Sequence, residues 1–222
     1  MLKATDIENY INHYRLLLSD VDRTLLTEEY RIPRQVLEAV ADIRRRGLKF
    51  VLATARSPLA LRPYATLLQC TDLCICFNGA WIGSLDSMLA ISEDPVPRKA
   101  ALAVMDCIEE LEMDALWYTN EGAFALRETP NIRREIDLTG EVLNLVSRNA
   151  ELPGNPYKIM SIGADEEKRA RVVDFNRNRA RGVTFVQSSE RNLEIIADTT
   201  SKGAASSNVR NFSSAMHRCG RR

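Results

Sequence analysis

Three near-continuous apolar runs open the chain: RLLLSDVD at 15–22, KFVLATAR at 49–56 and LCICFNG at 73–79. A strand with one face in water alternates apolar and polar residues. These runs do not alternate, which predicts strands covered on both faces, as in a parallel sheet. Between the first two, Pro33 suits the first turn of a helix, Val36, Leu37, Val40 and Ile43 recur at helical spacing, and Gly47 stops it. SPLALRPYATLLQC, residues 57–70, predicts a second, shorter helix. The order βαβαβ implies a parallel sheet with right-handed crossovers.

The middle of the chain has another rhythm. A helix is predicted over 97–112, with Ala101, Val104, Met105, Ile108 and Leu111 on one stripe. Strands at 115–119 (ALWYT) and 123–127 (AFALR) follow, joined by the turn Asn120-Glu121-Gly122. Next come a helix near 130–147, a strand at 157–163 (YKIMSIG), a charged helix at 165–180, and strands at 183–187 (VTFVQ) and 193–197 (LEIIA). The order αββαβαββ predicts an independent unit inserted between the third parallel strand and the C-terminal segment. Residues 95–97 and 198–200 read as its linkers. The expected organisation is α/β, with a parallel-sheet core from 1–85 and 198–222 and an inserted α+β domain at 86–197.

Composition narrows the function classes. The 222 residues are 45% apolar and 27% charged, ordinary for a globular protein, and long enough for one or two domains. Thirty basic residues balance thirty acidic ones, which excludes a strongly basic nucleic-acid binder. The balance is uneven along the chain: residues 203–222 hold four arginines and no carboxylate, leaving a net −4 on 1–202. No apolar run approaches the roughly 18 residues of a membrane span. The N-terminal MLKATDIENYINHYR lacks a signal-peptide apolar segment. A cytoplasmic chain without membrane or nucleic-acid partners is expected. The five cysteines match no zinc spacing, and Cys74 and Cys76 read as small apolar residues of a buried strand.

Chemistry in parallel-sheet proteins gathers at the carboxyl ends of strands. Here those ends carry Asp20 and Asp22, then Thr54 with Arg56, then Asn78 and Gly79. Two carboxylates two residues apart at a strand end can face a common pocket. They repel unless a cation neutralises them, and magnesium, with its preference for oxygen ligands, suits that task. A carboxylate beside a phosphate can act as nucleophile, and a second can give and take the proton. A hydroxyl and an ammonium can hold the phosphoryl oxygens; Lys202, just after LEIIAD, is the candidate ammonium.

The sequence at this point resembles the haloacid dehalogenase superfamily, in particular its Cof-type branch with a large α/β cap. Asp20-Val21-Asp22-Arg23-Thr24-Leu25-Leu26 is similar to that family's D-x-D-G-T-L-L, with arginine for glycine. Thr54-Ala55-Arg56 resembles T-G-R, with alanine for glycine; Asn78-Gly79-Ala80 resembles the N-G-A loop; Ser201-Lys202-Gly203 resembles the lysine motif. The resemblance implies a Rossmann-like core with an inserted cap, and magnesium-dependent hydrolysis of a small phosphorylated metabolite, such as a sugar phosphate, through an aspartyl-phosphate. It makes Asp20 the nucleophile and a magnesium ligand, and Asp22 the acid/base and a second ligand through its carbonyl. Thr54 and Lys202 would bind the phosphoryl group, with Arg56, Asn78 and Gly79 near the entrance. His13 and His217 lie outside every motif.

Two departures set further expectations. The family's fourth motif, G-D-x-x-N-D, which completes the metal site, does not occur in the twenty residues after Lys202. A truncated or altered C-terminus, impaired turnover and an exposed edge at LLLSD are therefore expected. The alternative is a non-catalytic remnant that binds phosphate or a partner. A phospho-accepting receiver domain would need an aspartate where Asn78 stands.

Overall fold

The computed structural model describes residues 15–163, 165–177, 180–201, 203 and 205. They build two sheets. The first has five strands in chain order: β1 (Leu16–Ser19), β2 (Lys49–Ala53), β3 (Cys74–Cys76), β4 (Trp81–Ser84) and β5 (Leu89–Glu93). β1, β2 and β3 are parallel, as the unalternating runs predict, and β1 is the outer strand among the described residues. Helix α1 (Arg34–Arg45) follows Pro33 and lays Val36, Leu37, Val40 and Ile43 on the core. Helix α2 (Pro58–Leu67) starts at Ser57, whose Oγ accepts from the Ala60 amide at 3.0 Å. Cys74 and Cys76 are fully buried, and desolvation holds both thiols well above their ordinary range, so they act as small apolar residues.

β4 and β5 are a hairpin that the sequence reading omits. They add antiparallel to β3 and carry this sheet to Glu93, past residue 85.

The second sheet has six strands in the order β10-β11-β9-β6-β7-β8: Val183–Gln187, Asn192–Ala197, Lys158–Ile162, Asp114–Thr119, Gly122–Ala125 and Leu143–Leu145. Helices α3 (Arg98–Glu110) and α5 (Glu166–Arg177) cover one face, on Trp117, Ile159, Leu193 and Ile195. Leu116, Tyr118 and Met160, one residue out of phase, pack with the first sheet's cluster, as the two-residue period of a strand requires. Helix α4 (Pro130–Thr139) is shorter than the expected 130–147. Gly140, at φ 72°, ends it in a left-handed turn, and Leu143–Leu145 then pair parallel with β7.

The chain passes into the second sheet through residues 94–97 and leaves through 198–200. The passages are clasped together. Asp94 accepts from the Thr199 hydroxyl at 2.8 and 2.9 Å and from the Thr200 hydroxyl at 2.7 Å. Nearby, the Tyr157 hydroxyl donates to Glu93, and the Val96 amide donates to the Pro156 carbonyl at 2.8 Å.

Candidate active site

The loops after β1 and β2 meet the second sheet around a cleft of about 820 Å³. β1 ends at Ser19, so the chain presents Asp20 in the open and turns sharply. The Val21 carbonyl takes the amides of Thr24, Leu25 and Leu26 at 2.9–3.3 Å. That turn puts Arg23 at φ 58°. The left-handed region explains why the resembled motif has glycine there. Ala55, by contrast, is not among the positive-φ residues, so alanine serves where T-G-R has glycine.

Arg56 organises the cleft. Its side chain is almost fully buried, and its guanidinium grips both oxygens of Asp22: Nε donates to each at 3.1 Å and Nη2 to Oδ1 at 2.7 Å. Nη1 donates to the Thr139 carbonyl at 3.2 Å, joining the β1 loop to the end of α4. The Tyr30 and Tyr64 rings each lie 5.2 Å from the guanidinium carbon. Burial works against the Arg56 charge, but the Asp22 hydrogen bonds and charge, aided by the two tyrosines, outweigh it and raise its pKa.

Thr54 is wholly buried at the end of β2, and its hydroxyl oxygen accepts from the Arg56 amide at 3.1 Å. Asn78, at φ 58°, donates to the Glu194 carboxylate of the second sheet at 3.4 Å. Gly79, at φ 111°, has a further constraint: a Cβ there would meet the Ser201 carbonyl at 2.8 Å and the Ala205 Cβ at 2.9 Å. The third strand end is therefore in contact with Ser201 and Ala205. Lys202 lies outside the described residues, as do His13 and His217. The structure thus joins Asp22 to Arg56, Arg56 to Thr54, and Asn78 to the second sheet.

The second sheet supplies residues that sequence reasoning missed. Lys158 and Glu194, both buried, pair at 3.7 Å, and the Lys158 ammonium lies 4.5 Å from the centre of the Tyr118 ring. Tyr118 lines the cleft, whereas Trp117, one residue earlier in the strand, packs on the other face and donates to the Pro153 carbonyl at 3.0 Å. Glu141, just after α4, is 8% exposed. Burial raises its pKa, against the opposing pull of Ser57, Lys158 and Arg56. Lys158 and Glu194 were signalled in the sequence by a lone charge inside an apolar strand, in YKIMSIG and NLEIIA.

For a cation, the donor set is all oxygen. The candidate ligands are the Asp20 carboxylate and the Asp22 carbonyl, the Asp22 carboxylate being held by Arg56. Magnesium, which keeps waters and uses few protein ligands, fits such a set. Among the described residues, no group of three His, Cys, Asp or Glu gathers around a possible metal.

Comparison with known proteins gives a consistent picture. The haloacid dehalogenase-like hydrolase family matches residues 17–216. The pyridoxal phosphate phosphatase YbhA of Escherichia coli is 26% identical over 120 residues, which are 54% of this chain and 44% of that protein, less than half its length. A haloacid dehalogenase-like hydrolase from Bacteroides thetaiotaomicron superposes with a TM-score of 0.82 at 20% identity, over 90% of this chain and 77% of the other. The sugar phosphatase BT4131 superposes with a TM-score of 0.74 at 19% identity, over 90% and 76%.

Proposed function

Because the chain belongs to the haloacid dehalogenase-like hydrolase family, we propose that it hydrolyses phosphomonoesters of small metabolites, sugar phosphates among them, in the cleft that Asp22 and Arg56 line. The unit between the two passages serves as the cap that closes on the substrate and excludes water.

In this reading an Asp20 carboxylate oxygen attacks phosphorus, and the bond from phosphorus to the ester oxygen breaks. Asp22, protonated, gives its proton to the departing oxygen, leaving an aspartyl-phosphate on Asp20. Asp22, now a carboxylate, takes a proton from water as the water oxygen attacks phosphorus. Inorganic phosphate leaves and Asp20 is restored. Thr54 and Lys202 hold the phosphoryl oxygens. A magnesium ion on the Asp20 carboxylate and the Asp22 carbonyl supplies positive charge against those oxygens.

The grip of Arg56 on Asp22 carries the reading. A guanidinium fork binds a carboxylate through paired, charge-assisted hydrogen bonds. It also holds Asp22 in a fixed orientation.

The test is phosphate release from p-nitrophenyl phosphate with added magnesium, comparing the wild-type chain with Asp20→Asn. Turnover that needs magnesium and falls at least about 10³-fold in the variant supports the reading. Phosphate binding without turnover favours the non-catalytic alternative.

A further inference from the structure

Among the described residues, two buried polar atoms in the cleft wall have no hydrogen-bond partner: the Tyr118 hydroxyl and Glu141 Oε2. Tyr118 is 1% exposed, and both residues line the cleft. Leaving such a group unsatisfied costs about 1–3 kcal/mol, so two of them beside one cavity mark a place that a ligand completes. We propose that Tyr118 and Glu141 form the subsite for the alcohol part of the substrate, and that this part is a neutral, polyhydroxylated chain. The proposal rests on the phosphomonoesterase reading above.

The charges around the pair choose the ligand chemistry. Glu135, Glu141 and Glu194 line this wall. The two buried cations among the described residues are already engaged, Lys158 by Glu194 and Arg56 by Asp22. An anionic substituent would therefore meet carboxylates. An ammonium would meet Lys158, which sits over the Tyr118 ring. Hydroxyls meet neither objection, because a hydroxyl can donate to Glu141 Oε2 and a hydroxyl can accept from Tyr118.

The experiment compares D-glucitol 6-phosphate, 6-phosphogluconate and p-nitrophenyl phosphate. The wild-type kcat/KM is expected to favour the glucitol ester over the gluconate by about tenfold or more. In Tyr118→Phe, the ratio of kcat/KM for the glucitol ester to that for p-nitrophenyl phosphate should fall about tenfold, as for one lost hydrogen bond to a buried group. Glu141→Leu should lower the same ratio. An unchanged ratio in Tyr118→Phe, or a wild-type preference for the gluconate, overturns the subsite. A second readout is independent of turnover: tryptophan-fluorescence titration of Asp20→Asn. D-glucitol 6-phosphate should bind at least about tenfold more tightly than inorganic phosphate, and adding Tyr118→Phe should remove the difference. Equal binding overturns the subsite even where turnover is normal. Absent turnover with the binding difference intact overturns the phosphomonoesterase reading and leaves the subsite standing.

Discussion

The central strands of the two sheets are buried by different means. In β2 and β3, Phe50 to Ala53 and Cys74 to Cys76 are all buried and all apolar, so the first sheet needs nothing beyond packing. In β9 and β11, Lys158 and Glu194 are equally hidden among isoleucines and leucines, and each offsets the burial cost of the other, with Asn78 and the Tyr118 ring assisting. The lesson is a division of labour. The parallel sheet is a rigid frame that aims its strand-end loops, while the second sheet accepts an electrostatic cost on the face that meets the cleft.

That contrast can be broken from either side. Lys158→Met strands a buried carboxylate and is expected to cost about 3–5 kcal/mol in urea unfolding, whereas Lys158→Met with Glu194→Leu should recover most of the loss. Equal losses in the single and double variants would show that the pair does not act as a unit. In the frame, Leu52→Ala, at a fully buried position, should cost about 3 kcal/mol through a cavity, with no partner substitution able to restore it.

Glu141 sharpens the contrast through pH. Its carboxyl is raised above the ordinary 4.5 by burial. Just above that value the folded chain therefore binds more protons than the unfolded one, and this residue's contribution to stability falls as pH rises through the window between the two pKa values. Glu141→Gln does not titrate, so the stability of the variant relative to wild type should increase from pH 4.5 upward. A difference that stays flat would show that the carboxyl titrates normally. The smallest effect belongs to the β1 loop: Arg23→Gly should stabilise by about 0.5–1 kcal/mol by relieving the positive φ, read as a rise in the urea midpoint.

The frame was legible because its signals are local. Unbroken apolar runs mark β1, β2 and β3, and Pro33 and Gly47 bracket α1. The strand-end loops could be read for the same reason, since chemistry follows directly on each run. The β4–β5 hairpin was not legible. The burial pattern of Leu89–Glu93 alternates exposed and half-buried, and it is a strand chiefly by pairing with β4. Gly140 did signal the end of α4, but the apolar residues from Val142 to Val146 masked it as a longer helix. The cleft wall was hidden for a different reason. Tyr118, Lys158 and Glu194 come from three strands that become neighbours only when the second sheet forms, and Glu141 from the segment after α4.

The clasp at Asp94 has a mechanical corollary. One carboxylate pins the outgoing and returning strands of the chain at a single point, so the tether behaves as a pivot rather than two loose cords. Swinging about that pivot is compatible with its hydrogen bonds, whereas sliding one passage along the other would tear them. A unit that closed over the cleft about this pivot would return to the same resting place, its alignment set by two threonines and an aspartate outside the cleft.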